Sequence, residues 1–333
     1  MPSHILVVGG AGYIGSHMVK RLAAAGHVPV VLDNLSSGRR AAVRAGQLVV
    51  GEVGDAGTLE ALLQAFPFRA VMHFASFIQV GESVTAPAKY YDNNVANTIR
   101  LLDALVCHRI GAFIFSSTAA IFGEPAYVPI DERHPKQPIN PYGKSKWMVE
   151  QMLADFDAAY GLRSSCLRYF NAAGADPDGE LGECHEPETH LVPLVLQAAS
   201  RRRSAITVFG RDYDTPDGTC IRDYIHVQDL CDAHLLALDR LLDGGASTRY
   251  NLGNGAGYSI LEVIAAAEKV TGRPIAQVDG PRREGDPPRL VADARLAMAE
   301  LGWRPRYADI DTIIRHAWRW EQQHFCAARV ENA

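Results

Sequence analysis

Residues 4–33 constrain the fold of this chain more than any other stretch. His4-Ile-Leu-Val-Val-Gly9 is a short apolar run, the pattern of a strand buried on both faces of a parallel sheet. Gly9-Gly-Ala-Gly-Tyr-Ile-Gly15 follows. It satisfies G-x-G-x-x-G through Gly10, Gly12 and Gly15, and G-x-x-G-x-x-G through Gly9, Gly12 and Gly15. A helix is expected from about Tyr13 to Ala25, stopped by Gly26. Such glycines let the backbone turn tightly and approach a diphosphate lying on the helix N-terminus. The next strand, Val28–Leu32, runs into Asp33, eighteen residues beyond Gly15. A carboxylate there accepts hydrogen bonds from ribose hydroxyls and repels a 2′-phosphate, which points to NAD rather than NADP. Arg39 and Arg40 lie close enough to weaken that discrimination.

Strand and helix signals keep alternating. Strands are expected at Gln47–Val53, Ala70–Ala75, Ala112–Ser117 and Ser164–Tyr169, with helices near Thr58–Ala65, Tyr90–Cys107 and Tyr142–Tyr160. The alternation predicts an α/β fold, a doubly wound parallel sheet (Rossmann). Sites in such sheets lie at the carboxyl ends of strands. The polar or glycine-bearing strand ends, Gly9–Gly15, Asp33-Asn34, Phe74-Ala75-Ser76, Ser116-Ser117-Thr118 and Phe170-Asn171, should converge on one crevice. After Asn171 the texture changes: Asp176–Thr189, Asp212–Gly218 and Gly280–Pro288 read as loops. Residues 1–171 are expected to form the dinucleotide-binding domain, with 225–253 returning to it, and 172–333 a smaller mixed α/β substrate domain.

At 333 residues the chain can bury a large core. With 47% hydrophobic and 21% charged residues its composition is that of a globular protein, and a net charge of −5 offers no field for nucleic acid. Arg201-Arg202-Arg203 ends an apolar helical stretch and reads as a solvated helix end. No apolar stretch approaches ~20 residues, so no membrane span is expected. Neither a signal peptide nor C-x-x-C pairs are found, and the six cysteines are read as reduced thiols in a cytoplasmic protein. Cys184-His185 stands isolated, and no metal site is expected.

Tyr142 and Lys146 stand four apart in Pro141-Tyr-Gly-Lys-Ser-Lys146. On a helix they share one face. An ammonium beside a phenol lowers the phenol pKa, and oxidised nicotinamide would lower it further, making a usable base. Such pairs are common by chance on solvated helices; the dinucleotide signature in the same chain gives this one its meaning.

With Gly9–Gly15, Asp33, Thr118, Tyr142 and Lys146 in order, the chain resembles the extended short-chain dehydrogenases/reductases. Gly81-Glu-Ser-Val84, Tyr90-Tyr-Asp-Asn-Asn-Val95, Arg168-Tyr-Phe-Asn171, Arg222-Asp-Tyr-Ile-His-Val227, Tyr250-Asn-Leu-Gly253 and Pro281-Arg-Arg-Glu-Gly-Asp286 narrow the resemblance to the UDP-glucose 4-epimerase group. It runs from about residue 4 to about 320. It implies oxidation of a UDP-sugar at its 4-position, rotation of the 4-keto sugar and hydride return to the other face. Tyr142 would be the base, Lys146 its electrostatic partner and Thr118 a hydrogen-bond partner of the 4-oxygen. Cofactor contacts are implied at Gly9, Gly12, Tyr13, Ile14, Gly15, Asp33, Asn34, Glu52, Val53, Phe74, Ala75, Asn94, Tyr142, Lys146 and Phe170. Substrate contacts are implied at Thr118, Asn171, His190, Phe209, Arg222, Arg283, Asp286 and Leu290. Guanidinium forks at Arg222 and Arg283 suit a diphosphate. A homodimer packed through the long helices is implied as well.

Departures from the group's pattern sharpen the expectations. Ile78 replaces a frequent Lys that reaches the cofactor, so NAD retention is expected to be looser. Glu52, Val8, His190 and Phe122 replace a frequent Asp, Thr, Asn and Tyr. Leu290 falls at a gate beside the sugar 2-substituent, intermediate between the Tyr of plain-hexose enzymes and the small residues of those taking N-acetyl sugars. Sugar-nucleotide dehydratases usually carry Asp-Glu after the Thr, and decarboxylating relatives an acid at position 120; Ala119 and Ala120 transfer no protons. A 4-epimerase of a UDP-pentose or UDP-uronate, a net dehydrogenase and a non-enzymatic NAD(H)-binding regulator are the remaining readings.

Overall fold

The computed structural model describes residues 2–283 and 285–326. Glu284 of the Pro281–Asp286 motif and residues 327–333 of the expected second domain lie outside them. In chain order the first part contains β1 (His4–Val8), α1 (Tyr13–Ala24), β2 (Val28–Asp33), β3 (Gln47–Val50), α2 (Ala56–Ala65), β4 (Phe68–His73), α3 (Val80–Thr85), α4 (Pro87–Tyr91), α5 (Asn97–Cys107), β5 (Ala112–Thr118), α6 (Pro141–Tyr160) and β6 (Arg163–Tyr169). The remainder contains β7 (Asn171–Ala173), α7 (Leu191–Ala199), β8 (Ile206–Phe209), β9 (Ile221–Arg222), β10 (Tyr224–His226), α8 (Val227–Leu242), β11 (Thr248–Leu252), β12 (Tyr258–Ser259), α9 (Ile260–Thr271), β13 (Gln277–Gly280), β14 (Arg289–Leu290), α10 (Arg295–Leu301) and α11 (Ile310–Glu321).

Seven parallel strands in the order β3-β2-β1-β4-β5-β6-β11 form the main sheet. The order reverses between β1 and β4, so the crevice for a ligand opens there, at the strands' carboxyl ends. Runs such as Ile5–Val8 and Phe113–Phe115 are almost wholly buried because helices cover both faces. On one face Met18, Leu22, Leu230 and Leu238 pack on the sheet; on the other Leu59, Leu101, Val149 and Leu153 do so. A third core, built from α7, α9 and α11 around Val195, Ile264 and Ile313, belongs to the second lobe.

The chain crosses between the lobes repeatedly. β7 follows β6 out of the main sheet and pairs in parallel with β10, after which α8 and β11 pack back on the first lobe. Ala294, Ala297 and Trp303 also join the first lobe's core, so residues of α10 return as well. The expected single helix Tyr90–Cys107 is two helices joined by a π-helical segment, Asp92–Ala96. The strand expected to reach Val53 ends at Val50. In the Arg201–Arg203 run, Arg202 is tied to Glu321 of α11 through Nε at 2.8 Å, so this helix end is a lobe-internal clasp as well as a solvated surface.

Candidate active site

The glycine turn is shaped by two different demands. A Cβ at Gly15 would lie 2.1 Å from the Gly9 carbonyl oxygen, and one at Gly9, whose φ is +80°, 2.4 Å from the Ala75 amide nitrogen. Those two glycines are required by the protein's own packing. Gly12 is different: a Cβ there would meet only the Gly9 oxygen at 3.5 Å, an ordinary contact, and its φ of −78° suits any residue. Gly12 lines a cavity of about 180 Å³ with Tyr13, Ser37 and Arg39. No side chain caps the first turn of α1. An anion seated on that helix end needs the space that a Gly12 side chain would take.

Asp33 is spoken for in part by the protein. Its Oδ2 accepts from the Ala11 amide at 2.9 Å and Oδ1 from the Leu35 amide at 2.8 Å. These bonds fix a 7% exposed carboxylate beside the glycine turn with acceptor capacity left over. Asn34 donates to both Glu52 oxygens at 3.1 Å, which places the adenine-side pair together. Val53 is buried, and the Phe74 and Ala75 amides both reach the Val8 carbonyl, at 2.8 and 3.2 Å. Asn94 sits in the π-helical segment and clips Phe77 through both backbone groups at 3.0 Å while donating to Ser145 at 3.1 Å. Its amide is used by the protein, so its influence on a cofactor runs through the loop it holds. Ile78 is 39% exposed.

Helix α6 carries both Tyr142 and Lys146. Asn140 caps it by accepting from the Gly143 amide at 2.8 Å, with Pro141 in the first turn. A Cβ at Gly143 would stand 2.5 Å from the Ala120 carbonyl oxygen, so only glycine lets the helix start press against the turn that follows Thr118. Tyr142 and Thr118 are thereby brought into hydrogen-bond contact. Lys146, one turn on, is buried; its Nζ donates to Ser76 Oγ at 2.6 Å and to the Ser116 carbonyl at 2.8 Å, and lies 4.9 Å from the Phe115 ring centroid.

Burial pushes the Tyr142 phenol above its ordinary value, and the bond with Thr118 draws it back. The Lys146 ammonium is turned toward Ser76 and Ser116, and burial without a carboxylate partner brings its own pKa down to about 7.

Sequence reasoning missed the buried layer that aims α6. Glu150, one turn beyond Lys146, accepts from Ser117 at 2.6 Å and from Arg168 through Nε at 2.9 Å and Nη2 at 2.6 Å, with both charged side chains essentially inaccessible. The i, i+4, i+8 spacing of Tyr142, Lys146 and Glu150 was the available signal. Asp223 was missed too. Its carboxylate accepts from the Asn254, Gly255 and Ala292 amides at 2.8, 3.0 and 3.1 Å, and burial raises its pKa to about 6.

Most of the expected substrate residues lie in the second lobe. Asn171 donates to the Asp223 carbonyl at 3.0 Å. Arg222 is nearly buried and paired with Asp286. The Arg283 guanidinium stacks 4.0 Å over the Phe209 ring. Leu290 is in register with Arg222 across the β9–β14 pair and packs with Phe122, Trp147 and Phe170. His190 precedes α7 and bonds Glu183. Arg222 and Arg283 are therefore held by different partners, Asp286 and Phe209.

Fold and glycine turn together define a dinucleotide-dependent enzyme. The model of the NAD dependent epimerase/dehydratase family matches residues 5–253. A UDP-glucose 4-epimerase of Rhizobium meliloti (strain 1021) is 53% identical over 321 residues, covering 96% of this chain and 98% of that protein. The crystal structure of UDP-glucose 4-epimerase from Brucella ovis in complex with NAD superposes with a TM-score of 0.93 at 52% identity, covering 95% of this chain and 97% of that one. The UDP-Glc/GlcNAc 4-epimerase from Campylobacter jejuni superposes with a TM-score of 0.84 at 43% identity over 96% of this chain and 99% of that one. The chain belongs to the NAD dependent epimerase/dehydratase family. Among the described residues no helix is long and apolar enough to cross a membrane.

Proposed function

We propose that this enzyme interconverts UDP-glucose and UDP-galactose by oxidation at the sugar 4-position, rotation of the 4-keto sugar and reduction from its other face. The observation that carries this reading is the Tyr142–Thr118 contact at the end of β5, with the Lys146 ammonium one turn away and no acid at Ala119 or Ala120. NAD, when bound, would supply the hydride acceptor and donor. Tyr142 takes the 4-hydroxyl proton and gives it back; Thr118 orients the 4-oxygen. Lys146, held by Ser76 and Ser116, is the electrostatic partner of the base one helical turn away. Gly12, the α1 N-terminus and Asp33 hold the dinucleotide. Arg222 and Arg283 take the UDP diphosphate, with Asn171, His190, Phe209 and Asp286 around the nucleotide. A site without a proton donor at positions 119 and 120 supports epimerisation over dehydration.

The test is product analysis with UDP-galactose and NAD. UDP-glucose formed without net NADH supports the reading; stoichiometric NADH release points to a dehydrogenase. Absence of conversion by folded, NAD-loaded protein overturns it and turns attention to UDP-pentoses and UDP-uronates. A wider substrate range is a second reading, favoured by Leu290 being smaller than Tyr and by the likeness to the UDP-Glc/GlcNAc enzyme.

A homodimer and a cytoplasmic location complete the proposal. Ile99 of α5 and Met148 of α6 are 44% and 41% exposed on the two helices expected to pair. Light scattering on the protein and on Met148→Glu tests the dimer. Cys107, Cys166, Cys184, Cys220 and Cys231 are all free, as suits a reducing compartment.

A further inference from the structure

The loop that joins β7 to α7 gathers four ligand-type side chains from one short run, Glu183-Cys-His-Glu-Pro-Glu-Thr-His190. Glu183, His185, Glu188 and His190 each point one donor atom inward, and the four atoms lie within 4.8 Å of one another. We propose that they form a zinc site that is structural in character.

Geometry, ligand type and charge agree on this. His185 Nδ1 lies 3.1 Å from Glu183 Oε1 and 3.7 Å from Glu188 Oε2, and His190 Nδ1 lies 3.8 Å from Glu188 Oε1 and closer still to Glu183 Oε1. In a tetrahedral zinc site with bonds of about 2.0–2.1 Å, neighbouring ligand atoms are about 3.3 Å apart, so small side-chain rotations close the set. Two imidazoles favour zinc over calcium or magnesium, which take oxygen ligands. Two carboxylates match the charge of the ion. Four protein ligands leave no open position, which marks a structural rather than a hydrolytic metal.

Salt bridges between imidazolium and carboxylate are the competing account. It requires two cationic rings, with centroids 5.5 Å apart, to turn the same nitrogen toward one carboxylate. A single divalent ion satisfies that arrangement with both rings neutral.

The surroundings are braced as an outer shell would be. The Glu183 carbonyl accepts from Trp320 Nε1 at 3.0 Å, and Glu188 Oε1 accepts from the Thr189 and His190 amides at 2.7 and 2.9 Å. The His185 ring stands edge-on to Tyr13 at 6.5 Å, so the ion would tie this loop to the helix end expected to carry the dinucleotide. With Nδ1 on the metal, His190 keeps its Nε2–H free to donate; a bond from it to substrate rests on the substrate reading above, whereas the metal site does not.

The full-length protein, stripped with chelator and then given zinc chloride and desalted, should retain about one zinc per chain. Glu183→Gln and His185→Ala should each lower retention more than tenfold, and Cys184→Ser should leave it unchanged. Cobalt in place of zinc should give the visible absorption of a tetrahedral centre in the wild type alone. Glu188→Gln replaces either variant that fails to fold by circular dichroism. Absence of zinc retention by the wild type, or retention equal in the Glu183 and His185 variants, overturns the proposal whatever the enzyme's activity proves to be.

Discussion

The Lys146 ammonium donates to the Ser76 hydroxyl across seventy residues of sequence, at 2.6 Å. That bond ties α6 to the loop after β4 and fixes the direction of the Lys146 ammonium. Since burial raises the Tyr142 phenol and the bond with Thr118 draws it back, the tyrosine hydroxyl should be indispensable. Tyr142→Phe should lower kcat by about 10³-fold, the usual scale of a lost general base, with NAD affinity changed less than about threefold. Residual turnover within tenfold of wild type would remove Tyr142 from the base role.

Gly12 gives a sharper test of the cofactor site than the other glycines. Its Cβ position is open and its backbone is ordinary, so Gly12→Ala should fold with an unchanged Tm. NAD affinity should nevertheless fall by at least about tenfold, equivalent to ~1.4 kcal/mol. Calorimetric titration measures it. Undiminished affinity would mean that the dinucleotide does not rest on this turn. Gly15→Ala, which clashes with Gly9, should instead impair folding itself.

Glu150 and Arg168 form a buried ion pair whose disruption leaves a lone charge in the core. Glu150→Gln should cost about 3–5 kcal/mol of stability, while Glu150→Leu combined with Arg168→Leu should cost less. Denaturant titration of the variants decides this. Equal losses would show that the pair acts by volume alone.

Histidines set the acid limit. Burial lowers His73 and His226 to about 3 and His234 to about 4, so in the fold they resist protons that the unfolded chain accepts near its ordinary value of about 6.5. The unfolded state then binds more protons below that value, and stability falls as pH drops through it toward 4. His234 Nδ1 bonds only the Leu230 carbonyl, at 2.8 Å, and its Nε2 is buried without a partner. His234→Leu should recover about 2 kcal/mol of that loss at pH 5 relative to pH 7. Melting curves at the two pH values test it; parallel losses in both proteins would assign the acid sensitivity elsewhere.

Much of this was legible in the sequence because it is local. The Gly9–Gly15 turn, Asp33 at the end of β2, and Tyr142 with Lys146 on one helix face are all set by spacing within a βα unit. The capping box of α9, Ser259 with Glu262, was equally local, yet the sequence reading left that region without elements. What lay out of reach depends on contacts between distant segments. Ser76 became visible as the partner of Lys146 only once β4 lay beside β5. Asp223 was hidden because its three amide partners come from residues 254, 255 and 292. Which way the Lys146 ammonium turns was out of reach as well, because adjacency on a helix does not set it. The Glu183–His190 run was equally local, and its E-x-H-x-x-E-x-H spacing was the signal that the reading of Cys184-His185 as isolated passed over.

Leu290 lies opposite Arg222 in a strand pair of two residues each, with the Asp223 amide donating to the Leu290 carbonyl at 3.0 Å. Under the proposed reading, the residue that admits or refuses a sugar substituent and the residue that grips the diphosphate hang from one short ladder. Leu290→Tyr should lower turnover of an N-acetylated UDP-sugar at least about tenfold more than that of UDP-galactose; equal losses would argue against a gate. A bulkier side chain that pushes on β14 pushes on Arg222 as well. Anyone retuning this enzyme for another sugar would find choice and grip mechanically geared together, so that each change of appetite calls for a second, compensating change on β9.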